Sequence, residues 1–116
     1  VNTTSLDLFC ERIENRPVVF IKIDVQGHEL EVLKGGTLLI KKDSPMILLE
    51  IDNEALSRAG SSKDDLIQYM NEVDYNAHVI NSKGVIKRIK NSDIGKFLIK
   101  NGGYYDFLFI KDKKLL

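Results

Sequence analysis

Acidic side chains surround a glycine in the sequence VVFIKIDVQGHELEVLK, which spans residues 18–34. Asp24 directly follows an apolar run, and Glu29 lies two positions after Gly27. A carboxylate in such a place can accept a proton from a reacting hydroxyl group, which is general-base catalysis. The neighbouring His28 is a second candidate base, because imidazole titrates near neutral pH. The segment therefore contains candidate acid–base groups.

The pattern around these groups predicts a strand, a sharp turn and a helix. Residues 18–23 form a nearly continuous apolar run, as expected of a parallel strand covered on both faces. Gly27 gives the backbone room for a sharp turn, and Glu29 suits the first turn of a helix, where the dipole favours negative charge. Ligands bind at the carboxyl ends of strands in open α/β sheets. We therefore expect Asp24 to project into a functional site.

The rest of the chain predicts one α/β domain, residues 1–116, with a mainly antiparallel end. The helix between the first two strands has the length that a right-handed parallel crossover needs. A glycine pair, Gly35–Gly36, weakens its middle and predicts close packing or a kink. The expected elements are helix 4–15, strand 18–23, helix 29–42, strand 45–51, helix 61–73, hairpin strands 76–81 and 85–89, a short helix or irregular loop at 92–101, and strand 104–111.

Charge and cysteine content exclude several classes of protein. The 17 basic and 17 acidic residues cancel, so the net charge favours neither a nucleic-acid partner nor an anionic membrane. Cys10 is the only cysteine, which rules out an intrachain disulfide. Its apolar neighbours indicate the buried side of a short helix rather than a nucleophile. No apolar run is long enough to span a bilayer. We expect no signal peptide and a cytoplasmic protein.

Residues 21–35, IKIDVQGHELEVLKG, resemble the signature IKIDVEGxExEVLKGA of the FkbM family of S-adenosylmethionine-dependent methyltransferases. Residues 3–7 resemble the family's TTLDD-type segment, residues 45–50 its next strand, and residues 104–111 its terminal strand. Gln26 replaces the usual glutamate and Gly36 the usual alanine. The resemblance implies the carboxyl-terminal half of a Rossmann-like class I methyltransferase fold.

One part of that fold is missing from the sequence. Class I methyltransferases hold S-adenosylmethionine on a glycine-rich turn after their first strand. None of the eight glycines here forms a GxG turn after a strand, so the close backbone approach that such a turn permits is not provided. We therefore expect a partial domain that lacks the amino-terminal cofactor-binding half and is inactive on its own.

The resemblance places Asp24 beside the methyl donor or acceptor. It could act as general base or orient the donor, with His28 as a second catalytic candidate and with Gln26 and Gly27 also near the cofactor. A structural alternative is that Asp24 caps the following turn through the backbone, as aspartate often does. Glu29 is either a helix-start charge or a group that contacts substrate.

Further acidic residues end the second strand. Glu50 and Asp52 could face Asp24 across a cleft and contact the substrate, as the parallel arrangement of the two strands implies. Asp24, Asp52 and Asn53 would also form an all-oxygen set suited to Mg²⁺, but a solvated loop is the favoured interpretation and we predict no metal. Residues 52–60 have no readable pattern and could contribute to substrate choice.

Two functions from different classes follow. The first is methyl transfer to a hydroxyl of a sugar or small metabolite, as part of a complete domain. The alternative is a non-catalytic remnant or interaction module, in which strand 18–24 exposes an apolar edge that pairs with another chain and forms a homodimer. An unrelated flavodoxin-like domain is disfavoured by the antiparallel end.

Overall fold

The computed structural model describes residues 17–112, so the predicted helix 4–15 with Cys10 and the end of the lysine-rich tail lie outside the described residues. The described part folds around one five-stranded sheet. The strands are β1 (Phe20–Ile23), β2 (Met46–Asp52), β3 (Tyr75–Ile80), β4 (Ile86–Arg88) and β5 (Tyr104–Lys111). The helices are α1 (Glu29–Gly35), α2 (Thr37–Asp43), α3 (Asn53–Arg58), α4 (Lys63–Glu72) and α5 (Ile94–Lys100), with a 3-10 turn at Asn91–Asp93.

The strand order across the sheet is β1-β2-β5-β3-β4. β1 and β2 are parallel and are joined through α1 and α2, which confirms the predicted parallel crossover. β5 lies between β2 and β3 and runs antiparallel to both, and β4 completes the predicted hairpin with β3. This mixed sheet, parallel at first and antiparallel at its end, is compatible with a partial methyltransferase fold and confirms the predicted fold class.

The core lies on one face of the sheet. Alternate residues of β2 and β5 point to that face, as the two-residue period of a strand requires. Burial of each large apolar side chain contributes roughly 1.5–3 kcal/mol relative to exposure. The fully buried core residues from strands and helices include Ile47, Leu49, Ile51, Phe107, Phe109, Leu33, Ile40, Leu56, Leu66, Met70 and Leu98.

The opposite face is partly open, and there the prediction for β1 is wrong. We expected a strand covered on both faces, but Phe20, which points to the open face, is 47% exposed. Val19, which precedes β1, is 73% exposed. Ile23, on the other face, is buried. Among residues 17–112, β1 lies at the edge of the sheet and pairs only with β2, so Phe20 has a neighbouring strand on one side only. Phe20 lies beside Met46 on the open face, and Met46 is exposed as well.

The predicted kink at the glycine pair divides one expected helix into two. α1 ends at Gly35, and α2 starts at Thr37. The Gly36 amide donates to the Leu33 carbonyl at 3.0 Å, and the Thr37 hydroxyl donates to the Lys34 carbonyl at 3.0 Å. These bonds satisfy carbonyls that a helix end leaves open.

A short helix, α3, lies within residues 52–60, where we could read no pattern. The Asp52 side chain caps it, accepting from the amides of Glu54 at 3.0 Å and Ala55 at 3.2 Å. Aspartate followed by an acid in the first turn is a helix-start signal that could have been recognised. α3 matters for the site because it places Ala55 against the turn that follows β1.

Candidate active site

The buried carboxylate of Glu29 holds the turn between β1 and α1 through hydrogen bonds to the backbone. Its side chain is only 2% exposed. One carboxylate oxygen, Oε2, accepts from the Val25 amide at 3.1 Å, and the Gly27 amide lies 3.0 Å from Oε1 and 3.2 Å from Oε2. Hydrogen bonds from backbone amides to a carboxylate are charge-assisted and therefore strong. This arrangement favours a structural role for Glu29 over the substrate contact that we predicted.

Gly27 is required by packing. Its φ is +98°, a conformation that other residues rarely adopt, and an added Cβ would lie 2.2 Å from the Ala55 carbonyl oxygen. Its amide is already donated to Glu29. The close approach of the turn to α3 thus accounts for a glycine here, and the described contacts give no support to the predicted role in cofactor binding.

Asp24 is exposed at the carboxyl end of β1, where we expected it. The Gln26 side-chain amide donates to its Oδ1 at 3.3 Å. Among residues 17–112, no hydrogen bond from a backbone amide to the Asp24 carboxylate is present, so the alternative role as a turn cap is performed by Glu29 instead. Asp24 consequently keeps oxygen atoms available for another molecule.

The structure does not bring His28 to Asp24. The His28 ring is exposed, and its Nδ1 lies 3.3 Å from Oε1 of Glu31, three residues along the helix. Within the described range, no hydrogen bond or ion pair joins His28 to Asp24. The geometry therefore does not assemble the two predicted catalytic groups as a pair, and a catalytic role for His28 stays a prediction.

Three acidic residues do lie together at the carboxyl ends of two neighbouring strands, β1 and β2. Asp24, Glu50 and Asp52 line a shallow depression together with the turn after β1. Oδ1 of Asp52 is used to cap α3. In the part of the chain that the structure describes, no group of three histidine, cysteine, aspartate or glutamate side chains is arranged to hold a metal ion.

The fold changes the proton affinity of Glu50. Burial raises the pKa of Glu50 above its ordinary value of 4.5, and the nearby carboxylates of Asp106, Asp24, Asp52 and Glu29 raise it further. The folded protein therefore binds this proton more tightly than the unfolded chain does. It follows that ionisation of Glu50 reduces stability as the pH rises above 4.5 through the folded-state pKa.

A larger cleft of about 490 Å³ lies on the open face of the sheet. Its lining consists of Leu48, Glu50, Ile80, Asn101, Tyr104, Tyr105 and Asp106. A smaller hollow of about 100 Å³ adjoins it, and Leu48, Glu50 and Asp106 line both. Asp24 lines the smaller hollow, so the cleft leads to the predicted catalytic carboxylate.

Sequence reasoning missed Asp106 and assigned Tyr104 only a place in a strand. The alternation in YYDFLFIK puts Tyr104 and Asp106 on one face, but nothing local shows that β5 inserts beside β2. That insertion aligns Asp106 with Glu50 and Tyr104 with Asp52.

A parallel strand–helix–strand unit with a carboxylate at its ligand-binding edge, followed by an inserted antiparallel strand, fits a methyltransferase domain. A family model described as the methyltransferase FkbM domain matches residues 1–77, about two thirds of the chain. The chain therefore belongs to the FkbM methyltransferase family, which confirms the resemblance. Comparisons with curated proteins and with solved structures gave no match.

The family match ends within β3, so it does not extend to β4, α5 and β5. The similarity seen in the terminal strand at residues 104–111 lies beyond the matched range. Within residues 17–112, no helix has the length and apolar character needed to cross a membrane.

Proposed function

We propose that this chain forms part of an S-adenosylmethionine-dependent O-methyltransferase that acts on a hydroxyl of a sugar or small metabolite in the cytoplasm. Family membership supports methyl transfer in general. The observation that carries the finer proposal is the position of Asp24, which is exposed at the ends of β1 and β2 beside a cleft of small-molecule size.

In this proposal Asp24 is the catalytic base. Gln26 donates to Oδ1, which orients the carboxylate and leaves Oδ2 to accept the proton that the acceptor hydroxyl loses. S-adenosylmethionine, when bound, supplies an electrophilic methyl group on a positively charged sulfur. Glu29 contributes indirectly by fixing the turn, and positioning of this kind is a large part of catalysis in group transfer.

The described residues fit the cofactor in charge. Asp24, Glu50 and Asp52 form a negative edge that suits a sulfonium group. A glycine-rich turn for the rest of the cofactor is not among these 116 residues, and we propose that a segment outside them provides it.

Replacement of Asp24 by asparagine tests the proposal. We expect the D24N variant, in the natural full-length polypeptide, to lose about 100-fold or more of its methyl-transfer rate, because the amide cannot accept the proton. The measurement is transfer of a labelled methyl group from S-adenosylmethionine to a panel of small hydroxyl compounds.

The matched control for that experiment is D112N, which removes a carboxylate that is 56% exposed and lies beside Arg88. Its rate should equal that of the unaltered protein. Because Asp24 is exposed, D24N should fold normally. A folded D24N variant with full activity would show that another group is the base.

Within the described residues 17–112, β1 has a neighbouring strand on one side only, which favours the alternative function, an interaction module that self-associates. Phe20 on β1 is 47% exposed, Val19 just before it is 73% exposed, and an apolar edge strand can pair with another chain. In this alternative the chain is a non-catalytic remnant, and β1 is its contact surface.

Self-association can be measured by sedimentation of the 116-residue chain at increasing concentration. We expect dimers or larger species, and we expect F20K to shift the population toward monomer because a lysine at an edge strand opposes pairing. I99K is the control, since Ile99 is 84% exposed on α5 and not on β1. A monomer at all concentrations would exclude this function.

A further inference from the structure

The cleft of about 490 Å³ has the size and mixed lining of a small-molecule site. Leu48 and Ile80 give it apolar surface, and Tyr104, which is 57% exposed, adds an aromatic ring. Glu50 and Asp106 add carboxylates, and both also line the hollow that contains Asp24. A ligand in the cleft could therefore reach the proposed catalytic base.

Two carboxylates stand directly opposite each other on the floor of this cleft. Glu50 on β2 and Asp106 on β5 are register partners in an antiparallel pair, and like charges in such positions destabilise a sheet. Lys22 lines the adjoining hollow, but no cation forms an ion pair with either carboxylate within residues 17–112. A positively charged ligand group beside Glu50 and Asp106 would relieve this repulsion.

The aromatic ring and the carboxylates together match one chemical group. An ammonium ion is attracted to carboxylates and to the face of an aromatic ring such as that of Tyr104. Leu48 and Ile80 would contact the carbon skeleton that bears the amine. Neutral acceptors would gain the apolar contacts but not the charge interaction.

Most of the polar lining comes from the part of the chain beyond the family match. The match ends at residue 77, whereas Tyr104 and Asp106 follow it. The family match therefore does not account for these two lining residues.

We propose that this cleft binds the methyl acceptor and selects amino alcohols, of which amino sugars are cyclic examples. The protonated amine would lie between Glu50 and Asp106, with its carbon skeleton on Leu48 and Tyr104. A hydroxyl of the same molecule would then point toward Asp24. The assignment rests on the proposed function, because it makes the cleft the acceptor site of that reaction.

Glucosamine and glucose provide the test, because they share a ring and differ by the amine. We expect glucosamine to bind the chain at least about tenfold more tightly at pH 7 when each sugar is titrated and followed by calorimetry or NMR. The double variant E50Q/D106N should bind glucosamine no better than glucose. The same variant should unfold at an equal or higher temperature, because it removes a repulsion.

The control variant is E72Q/D112N, which makes the same change in charge at two exposed positions outside the cleft. It should keep the preference for glucosamine. Equal affinities for the two sugars in the unaltered chain, or an unchanged preference in E50Q/D106N, would overturn the proposal.

S-adenosylmethionine and S-adenosylhomocysteine distinguish the acceptor's amine from the donor's sulfonium, since only the first carries the positive sulfur. If E50Q/D106N abolishes a preference for S-adenosylmethionine while glucosamine fails to bind, the acceptor assignment is wrong. Sugar binding is measured without methyl transfer. A failure of the cleft proposal is thus distinguishable from a failure of the proposed methyltransferase function, which the D24N assay reports.

Discussion

Replacing Gly27 with alanine is expected to reduce the free energy of unfolding by about 3–4 kcal/mol. A residue with a Cβ in the left-handed region costs about 1–2 kcal/mol, and Gly27 has a φ of +98°. The new Cβ would also lie 2.2 Å from the Ala55 carbonyl oxygen, and overpacking of this kind adds about 1–3 kcal/mol. Urea denaturation of the G27A variant measures the sum.

Gly84 separates the two costs. It has a φ of +77°, but an added Cβ would meet nothing within 4 Å. The G84A variant should therefore lose only the backbone contribution, about 1–2 kcal/mol. If both variants lost the same amount, the contact between the turn and α3 would not be as close as the structure shows.

Replacing Glu29 with alanine is expected to cost about 3 kcal/mol and to disorder the turn that presents Asp24. The amides of Val25 and Gly27 would lose their acceptor, and a buried donor without a partner costs about 1–3 kcal/mol. Denaturant unfolding gives the stability. In the full-length polypeptide, the methyl-transfer rate should fall even at temperatures where the variant is folded, because Asp24 is no longer held in place.

Glu31 is the matched control on the same helix. Its side chain is 77% exposed, so the E31A variant should change the free energy of unfolding by less than about 0.5 kcal/mol. The difference between E29A and E31A isolates the buried carboxylate from any general effect of acidic charge near a helix start. Comparable losses in the two variants would mean that the turn does not depend on Glu29.

The strand, turn and helix around Asp24 could be predicted because their signals are local. An apolar run, a glycine and helical spacing each depend on a few neighbouring residues. The same holds for the hairpin of β3 and β4. It also holds for α4, where the Ser62 hydroxyl accepts a hydrogen bond from the Asp65 amide at 3.2 Å. Apart from the division of helix 29–42 at the glycine pair, the structure shifts the ends of these elements by only one or two residues from the predicted ranges.

The role of Glu29 could not be predicted in the same way. An acid in the first turn of a helix is consistent with an exposed charge that interacts with the dipole and equally with a buried group that binds the turn. Burial decides between them, and burial depends on α3 and on the rest of the domain. The open face of β1 was missed for a related reason, because an apolar run does not report which faces have neighbours.

The pairing of Glu50 with Asp106 lies furthest from what local patterns can show. The two residues are distant in sequence, and they meet because β5 inserts between β2 and β3. Alternation within β5 predicts the face of each side chain but not the neighbouring strand or the register. The acidic pair at the cleft is thus a property of the topology.

The inserted position of β5 also has a consequence for synthesis. A ribosome completes β2 and β3 before β5. These two strands do not pair with each other, because each of them pairs with β5. A nascent polypeptide that stops before residue 104 would present two separate, unpaired strand edges, a form that aggregates readily. The five strands can form one sheet only when residues 104–111 have emerged, so cooperative folding is expected late in translation.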